Sequence, residues 1–200
     1  PLWNVENDVP DQPGAYGIGG WMEDDEALLI FSQFDVWLAD PDGGTPAKRI
    51  TNGRENKNVF RSLDLDRKLP WHREKDDLYF SVYDQTTREA GYAVRKSGAD
   101  GFAKTLFKTA NIYNYVIKAE NTEDILINRE SQKISQNIYH AKGFSPELKM
   151  VSDINPQQND YIWSDVQLVK YHSIDGKPLE GLIYFPGDLD KTKKYPMMVY

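Results

Sequence analysis

Asp76-Asp77-Leu78-Tyr79-Phe80-Ser81-Val82 sets an acidic pair directly before a short run of apolar, aromatic and β-branched residues. The same arrangement occurs at Asp24-Asp25, ahead of Ala27-Leu28-Leu29-Ile30, and at Glu123-Asp124, ahead of Ile125-Leu126-Ile127. The spacing is 52 residues from Asp25 to Asp77 and 47 from Asp77 to Asp124. A four-stranded propeller blade with its turns takes roughly 40 to 50 residues. Aspartate tolerates turn geometry and caps backbone amides, so each pair is expected at the first hairpin turn of one blade. Carboxylates that work as a catalytic pair converge from different strands instead of recurring at equivalent hairpin tips. The repeat is read as structural.

Working outward, the remaining apolar segments are also short and are separated by Gly, Pro, Asn and Asp. Ala15 to Trp21, Ala27 to Phe31, Asp35 to Ala39 and Lys48 to Thr51 read as strands. So do Val59 to Leu63, Leu78 to Val82, Glu89 to Val94 and Ala103 to Lys108, and then Tyr113 to Ala119, Ile125 to Ile127, Ile134 to His140 and Leu148 to Val151. No helical periodicity of useful length interrupts them. The fold class is mainly β: a partial β-propeller of about three four-stranded blades, at about residues 14–53, 58–108 and 112–152.

The composition narrows the function classes. The 200 residues are 40% hydrophobic and 12% aromatic, which is enough for a core, and 28% charged; mean hydropathy is −0.66. The net charge is −7 and no basic stripe exists, so nucleic acid is excluded as a partner. With no cysteine there is no disulfide, thiolate metal site or cysteine nucleophile. The longest apolar runs, such as Ala27 to Phe31, fall far short of the ~20 residues of a membrane span. The chain starts at Pro1 without a basic and apolar leader, so any signal peptide is expected outside it.

No serine sits in a Gly-x-Ser-x-Gly elbow; Ser97-Gly98 lies between Lys96 and Ala99 in a loop. His72, His140 and His172 have no metal-ligand spacing and read as surface or strand-edge residues. Asp40-Pro41-Asp42-Gly43-Gly44 starts like a calcium loop, but Pro46 and Ala47 stand where oxygens are needed, so it reads as a hairpin turn. Gly17-Ile18-Gly19-Gly20 is followed by Trp21 and three acidic residues, with no helix to make an anion site. Trp3, Trp21, Trp37 and Trp163 read as packing residues, Trp37 between blades. Trp71, in the loop Leu69-Pro70-Trp71-His72-Arg73, is kept as a candidate contact residue. No cofactor is expected and no catalytic, metal or cofactor-binding residue is assigned.

The C-terminal stretch Asp175-Gly176-Lys177-Pro178-Leu179-Glu180-Gly181-Leu182-Ile183-Tyr184-Phe185-Pro186 reads as a turn and a strand. After a charged loop, Lys194-Tyr195-Pro196 leads into Met197-Met198-Val199-Tyr200, an apolar strand with no closing turn. A chain stopping within such a strand is expected to be an internal fragment. Together with Phe34-Asp35-Val36-Trp37-Leu38-Ala39-Asp40-Pro41, Arg49-Ile50-Thr51-Asn52-Gly53, Ile125 to Ser131 and Ser152-Asp153-Ile154-Asn155-Pro156-Gln157-Gln158, these phrases resemble, in order, the prolyl oligopeptidase family of serine peptidases. The dipeptidyl-peptidase-like bacterial members are the most similar.

The resemblance implies a propeller segment at 1–155, then a crossing segment and the truncated N-terminal strands of an α/β-hydrolase domain at 156–200. It implies a parent enzyme that hydrolyses short peptides through an acyl-enzyme, with the propeller restricting substrate access. The triad and the oxyanion tyrosine would follow this region, and Tyr200 falls two residues short of that tyrosine, so the chain alone is expected to be inactive. An exported location follows from the resemblance only. The alternative is a non-enzymatic propeller that binds a protein or glycan. In either case the open faces of three blades are expected to favour self-association.

Overall fold

The computed structural model describes residues 1–66 and 68–199. A first sheet has the order β4-β3-β2-β1, formed by β1 (Ile18–Met22), β2 (Leu28–Phe31), β3 (Val36–Ala39) and β4 (Lys48–Arg49). A second consists of β5 (Asn58–Ser62), β7 (Leu78–Asp84), β8 (Ala90–Arg95) and β9 (Lys104–Thr109), in that order. The third places β10 (Ile112–Lys118), β11 (Asp124–Ser131), β12 (Ile134–Lys142) and β13 (Lys149–Met150) side by side. Consecutive strands within each sheet are antiparallel. None of the sheets closes on itself, and the arrangement fits a partial propeller.

Between β5 and β7 the chain makes an excursion. There β6 (Trp71–His72) joins the first sheet, parallel to β1, pairing Trp21 with Trp71 and Met22 with His72. The excursion ties two sheets together, and His72 Nε2 lies 2.9 Å from the Gly19 carbonyl, which also accepts from Ser62 Oγ at 2.9 Å. Gly19 is confined here, since a Cβ would fall 2.5 Å from Ser62 Oγ and 2.9 Å from the Phe31 ring.

The second sheet is the middle layer because both of its faces are apolar. Successive strand side chains point to opposite faces. In β7, Leu78, Phe80 and Val82 join Leu29, Phe31, Val36 and Ile50 of the first sheet and its closing turn, with Phe60 beside them. On the other face Tyr92 and Phe107 meet Ile125, Ile127, Ala141 and Phe144 of the third sheet. Tyr92 is the hub, its ring 4.8 Å from Phe144, 5.6 Å from Tyr113 and 5.7 Å from Phe107.

After the third sheet come a short 3-10 turn (Pro156–Asp160) and a hairpin of β14 (Asp165–His172) and β15 (Pro178–Phe185). The Asp175-Gly176 turn closes that hairpin, with Gly176 at φ +79° and its amide donating to Ser173 O at 2.9 Å. Two expectations are corrected here. Met197 to Val199 forms no strand; these residues stand 77–91% exposed because no neighbouring strand among the described residues offers them a ladder. Tyr200 lies outside the described residues. After the third sheet the described residues hold only the two-stranded hairpin, with no helix packed on it. Trp37 also departs from expectation: it is half-buried, donating from Nε1 to Ser32 Oγ at 3.1 Å under the Arg54 guanidinium, instead of filling the space between sheets.

Candidate functional site

Each sheet is a meander, so its first and third turns lie at one end and its second turn at the other. The acidic pairs all take the first turn. Glu23 to Asp25 form a 3-10 turn between β1 and β2, with Asp24 and Asp25 both at φ +57°. Asp76-Asp77 immediately precedes β7, and Asp124 opens β11. Their partners are local. Asp77 accepts from Lys96 Nζ at 2.7 Å and the Ser97 amide at 3.1 Å, and Asp124 binds His140 Nε2 at 2.7 Å. For Asp77 partial burial works to raise the pKa, but those two hydrogen bonds and the Lys96 charge outweigh it and lower it. Asp77 thus caps the β8–β9 turn through the Ser97 amide, and Asp124 ties β11 to β12 through His140.

The same end carries an open cleft of about 1090 Å³ between the second and third sheets. Its apolar floor comes from Leu63, Leu65 and Tyr79, Ile117 borders it, and Trp71 and His72 line one side. Most of its charges are already matched to one another. Lys68 pairs with Glu120 at 2.6 Å, Arg73 with Asp66 at 2.8 Å and Lys118 with Glu123 at 3.2 Å, besides Lys96 with Asp77. The Lys68–Glu120 pair bridges the β5–β7 excursion to the β10–β11 turn, across the cleft mouth. Among the described residues no serine, threonine or cysteine lines the cleft, and His72 spends its Nε2 on the Gly19 carbonyl. Such walls can hold a ligand but supply no activated nucleophile. Trp71, kept open from the sequence, does reach this cleft and remains 43% exposed.

At the opposite end, the second turns of two sheets meet the hairpin. Arg88, between β7 and β8, reaches Glu180 of β15 at 2.6 Å. Lys133, between β11 and β12, forms an ion pair with Asp165 of β14, and Gln132 Nε2 donates to Ser164 Oγ at 3.0 Å. The acidic pairs and cleft are therefore remote from whatever the hairpin adjoins.

The remaining candidates resolve as structure. Asp40 accepts from the Asp42 and Thr45 amides at 2.9 and 2.8 Å, which lowers its pKa, so the calcium-like stretch is a hairpin turn. Ser97 Oγ donates to the Glu74 carbonyl, and His172 ends β14. Among the described residues no group of three or more His, Cys, Asp or Glu side chains could hold a metal ion. Sequence reasoning passed over two features. Asp35 is fully buried and gathers Thr51 Oγ1 at 3.0 Å, the Gly53 amide at 2.6 Å, Arg54 Nε at 2.8 Å and Arg49 Nη1 at 3.4 Å. Arg129 leaves its Nε buried without a partner. Both stand in phrases marked for their resemblance, Phe34 to Pro41 and Ile125 to Ser131, but neither phrase shows the partners that Asp35 gathers or the lack of one at Arg129.

No family model matches this sequence, and no curated protein does. Solved structures do. The chain is similar to the AtxE2 isopeptidase in its apo form, with a TM-score of 0.60 and 11% identity over 94% of this chain. A variant of that isopeptidase with Astexin3-dC4 bound gives 0.57 and 12% over 90%. A post-proline cleaving enzyme from Rickettsia typhi gives 0.57 and 14% over 90%. The chain spans about a quarter of the length of these proteins, 25–27%. At these identities the likeness is one of fold: the arrangement of sheets described above is shared with prolyl-oligopeptidase-type peptidases.

Proposed function

We propose that this chain is the junction between propeller and catalytic domain in a serine peptidase of the prolyl oligopeptidase type. Residues 1–155 would be its propeller segment, with blades at about 14–53, 58–108 and 112–152. Residues 156–200 would be the crossing segment and the first strands of the α/β-hydrolase domain. The observation that carries this reading is the likeness in fold to the AtxE2 isopeptidase, with a TM-score of 0.60 over 94% of this chain. The substrate would be a short peptide, and a dipeptidyl-peptidase-like specificity is the finer form of this reading.

In such an enzyme a serine, activated by its histidine base, attacks the peptide carbonyl while an oxyanion hole holds the developing charge. The chain's own part is to bind and to restrict access, since its cleft offers an indole, a phenol and matched charges but no nucleophile. The coding sequence after Tyr200 tests the reading. A Gly-x-Ser-x-Gly elbow followed by Asp and His supports the peptidase; a reading frame without them leaves a propeller that binds a protein or glycan.

A further inference from the structure

Arg129 is the arginine left unanswered among the described residues. Among the described residues, Arg49, Arg54, Arg73 and Arg88 engage carboxylates, and Arg61 and Arg95 engage main-chain carbonyls. Arg129 Nε is buried with no hydrogen-bond partner. Leaving a buried donor unsatisfied costs about 1–3 kcal/mol, and native structures keep few such groups. The guanidinium is nevertheless held in place, its central carbon 4.8 Å from the centroid of the buried Tyr139 ring. A fixed, planar fork of donors suits a carboxylate, which it can grip through two parallel hydrogen bonds.

Its position points the same way. Arg129 lies three residues before Gln132, near the β11–β12 turn, at the end of the third sheet that meets the hairpin. At this end a cation answered by a carboxylate is the recurring contact, Arg88 with Glu180 and Lys133 with Asp165. We propose that Arg129 is a recognition site for a further carboxylate presented at this rim. The group belongs either to a peptide ligand, as an acidic side chain or C-terminus, or to a side chain of the same polypeptide. The first source rests on the peptidase reading; the second does not.

The test is calorimetric binding of tetra-alanine as free acid and as C-terminal amide to the purified protein, with R129M and R129K, alongside thermal melting. For a peptide carboxylate, wild type binds the acid about tenfold or more tightly than the amide, the worth of one charge-assisted hydrogen bond. R129M loses that preference, R129K keeps part of it, and R129M melts no lower than wild type because an apolar side chain removes the orphaned donor. For a carboxylate of the polypeptide itself, no acid preference is seen, R129M melts lower and R129K largely restores it. An acid preference unchanged in R129M, or no preference together with unchanged melting in R129M, overturns the proposal. Acid-selective binding by a protein whose uninterrupted reading frame carries no Gly-x-Ser-x-Gly elbow keeps the site and removes the peptidase reading.

Discussion

Asp35 is a carboxylate with no solvent contact, and four donors from Arg49, Thr51, Gly53 and Arg54 converge on it. Removing one member of a buried charge network strands the others, so Asp35→Asn should cost about 3 kcal/mol or more in denaturant unfolding. Arg54 is half exposed, and Arg54→Ala should cost about 1 kcal/mol or less. Equal losses from the two would contradict this division. Asp84 makes a second such knot. Burial works to raise its pKa, but hydrogen bonds from Lys108 and from the Thr87 and Thr86 amides prevail and bring it down to about 2. A pKa lowered in the folded state gives stability that is full above the unfolded value of 3.8 and is lost as pH falls from there through about 2. The loss should be roughly 2 kcal/mol, and Asp84→Asn should flatten the pH dependence of unfolding across that window. Neither knot was visible in the sequence as a network. Asp35 stood in a phrase marked for its resemblance, but its partners lie 14 to 19 residues on, and only the folded turn brings them to it.

At the scale of the element, the strands were legible because each alternates faces or runs apolar between Gly, Pro, Asn and Asp. The acidic pairs marked the first turns for the same reason, that aspartate suits turns. Met197 to Val199 shows the limit: an apolar, β-prone run becomes a strand only where a neighbour supplies the ladder. The β6 excursion was unreadable because two residues pairing with a different sheet leave no periodic trace. Close strand approach is equally hidden until coordinates place the backbone. A Cβ on Gly91 would lie 1.9 Å from the Phe107 carbonyl oxygen, so β8 and β9 cannot both stay in place. Gly91→Ala should cost about 2 kcal/mol or more, with faster amide exchange concentrated in Lys104 to Thr109. Slowed or unchanged exchange there would contradict the close approach.

For the whole molecule, 13831 Å² of accessible surface is large for a 23.0 kDa chain; a compact monomer of that mass exposes about 9600 Å². Part of the excess is apolar and lies on the outer face of the third sheet, where Ile117 and Leu126 are cross-strand partners and both largely exposed. The 200-residue chain by itself should therefore associate at micromolar concentration in light scattering. Leu126→Lys should shift it toward monomer without lowering its melting temperature. A sharp monomer peak with cooperative melting for the unsubstituted chain would speak against open sheet faces. On the proposed reading, this chain shapes access to a serine peptidase centre that lies outside it. Hydrolysis of a peptide-p-nitroanilide series, followed for the chain Pro1 to Tyr200 and for the product of the uninterrupted reading frame, tests it most directly. Turnover by the longer protein alone, abolished by a serine-directed fluorophosphonate, is the predicted result; turnover by the purified 200-residue chain would contradict it.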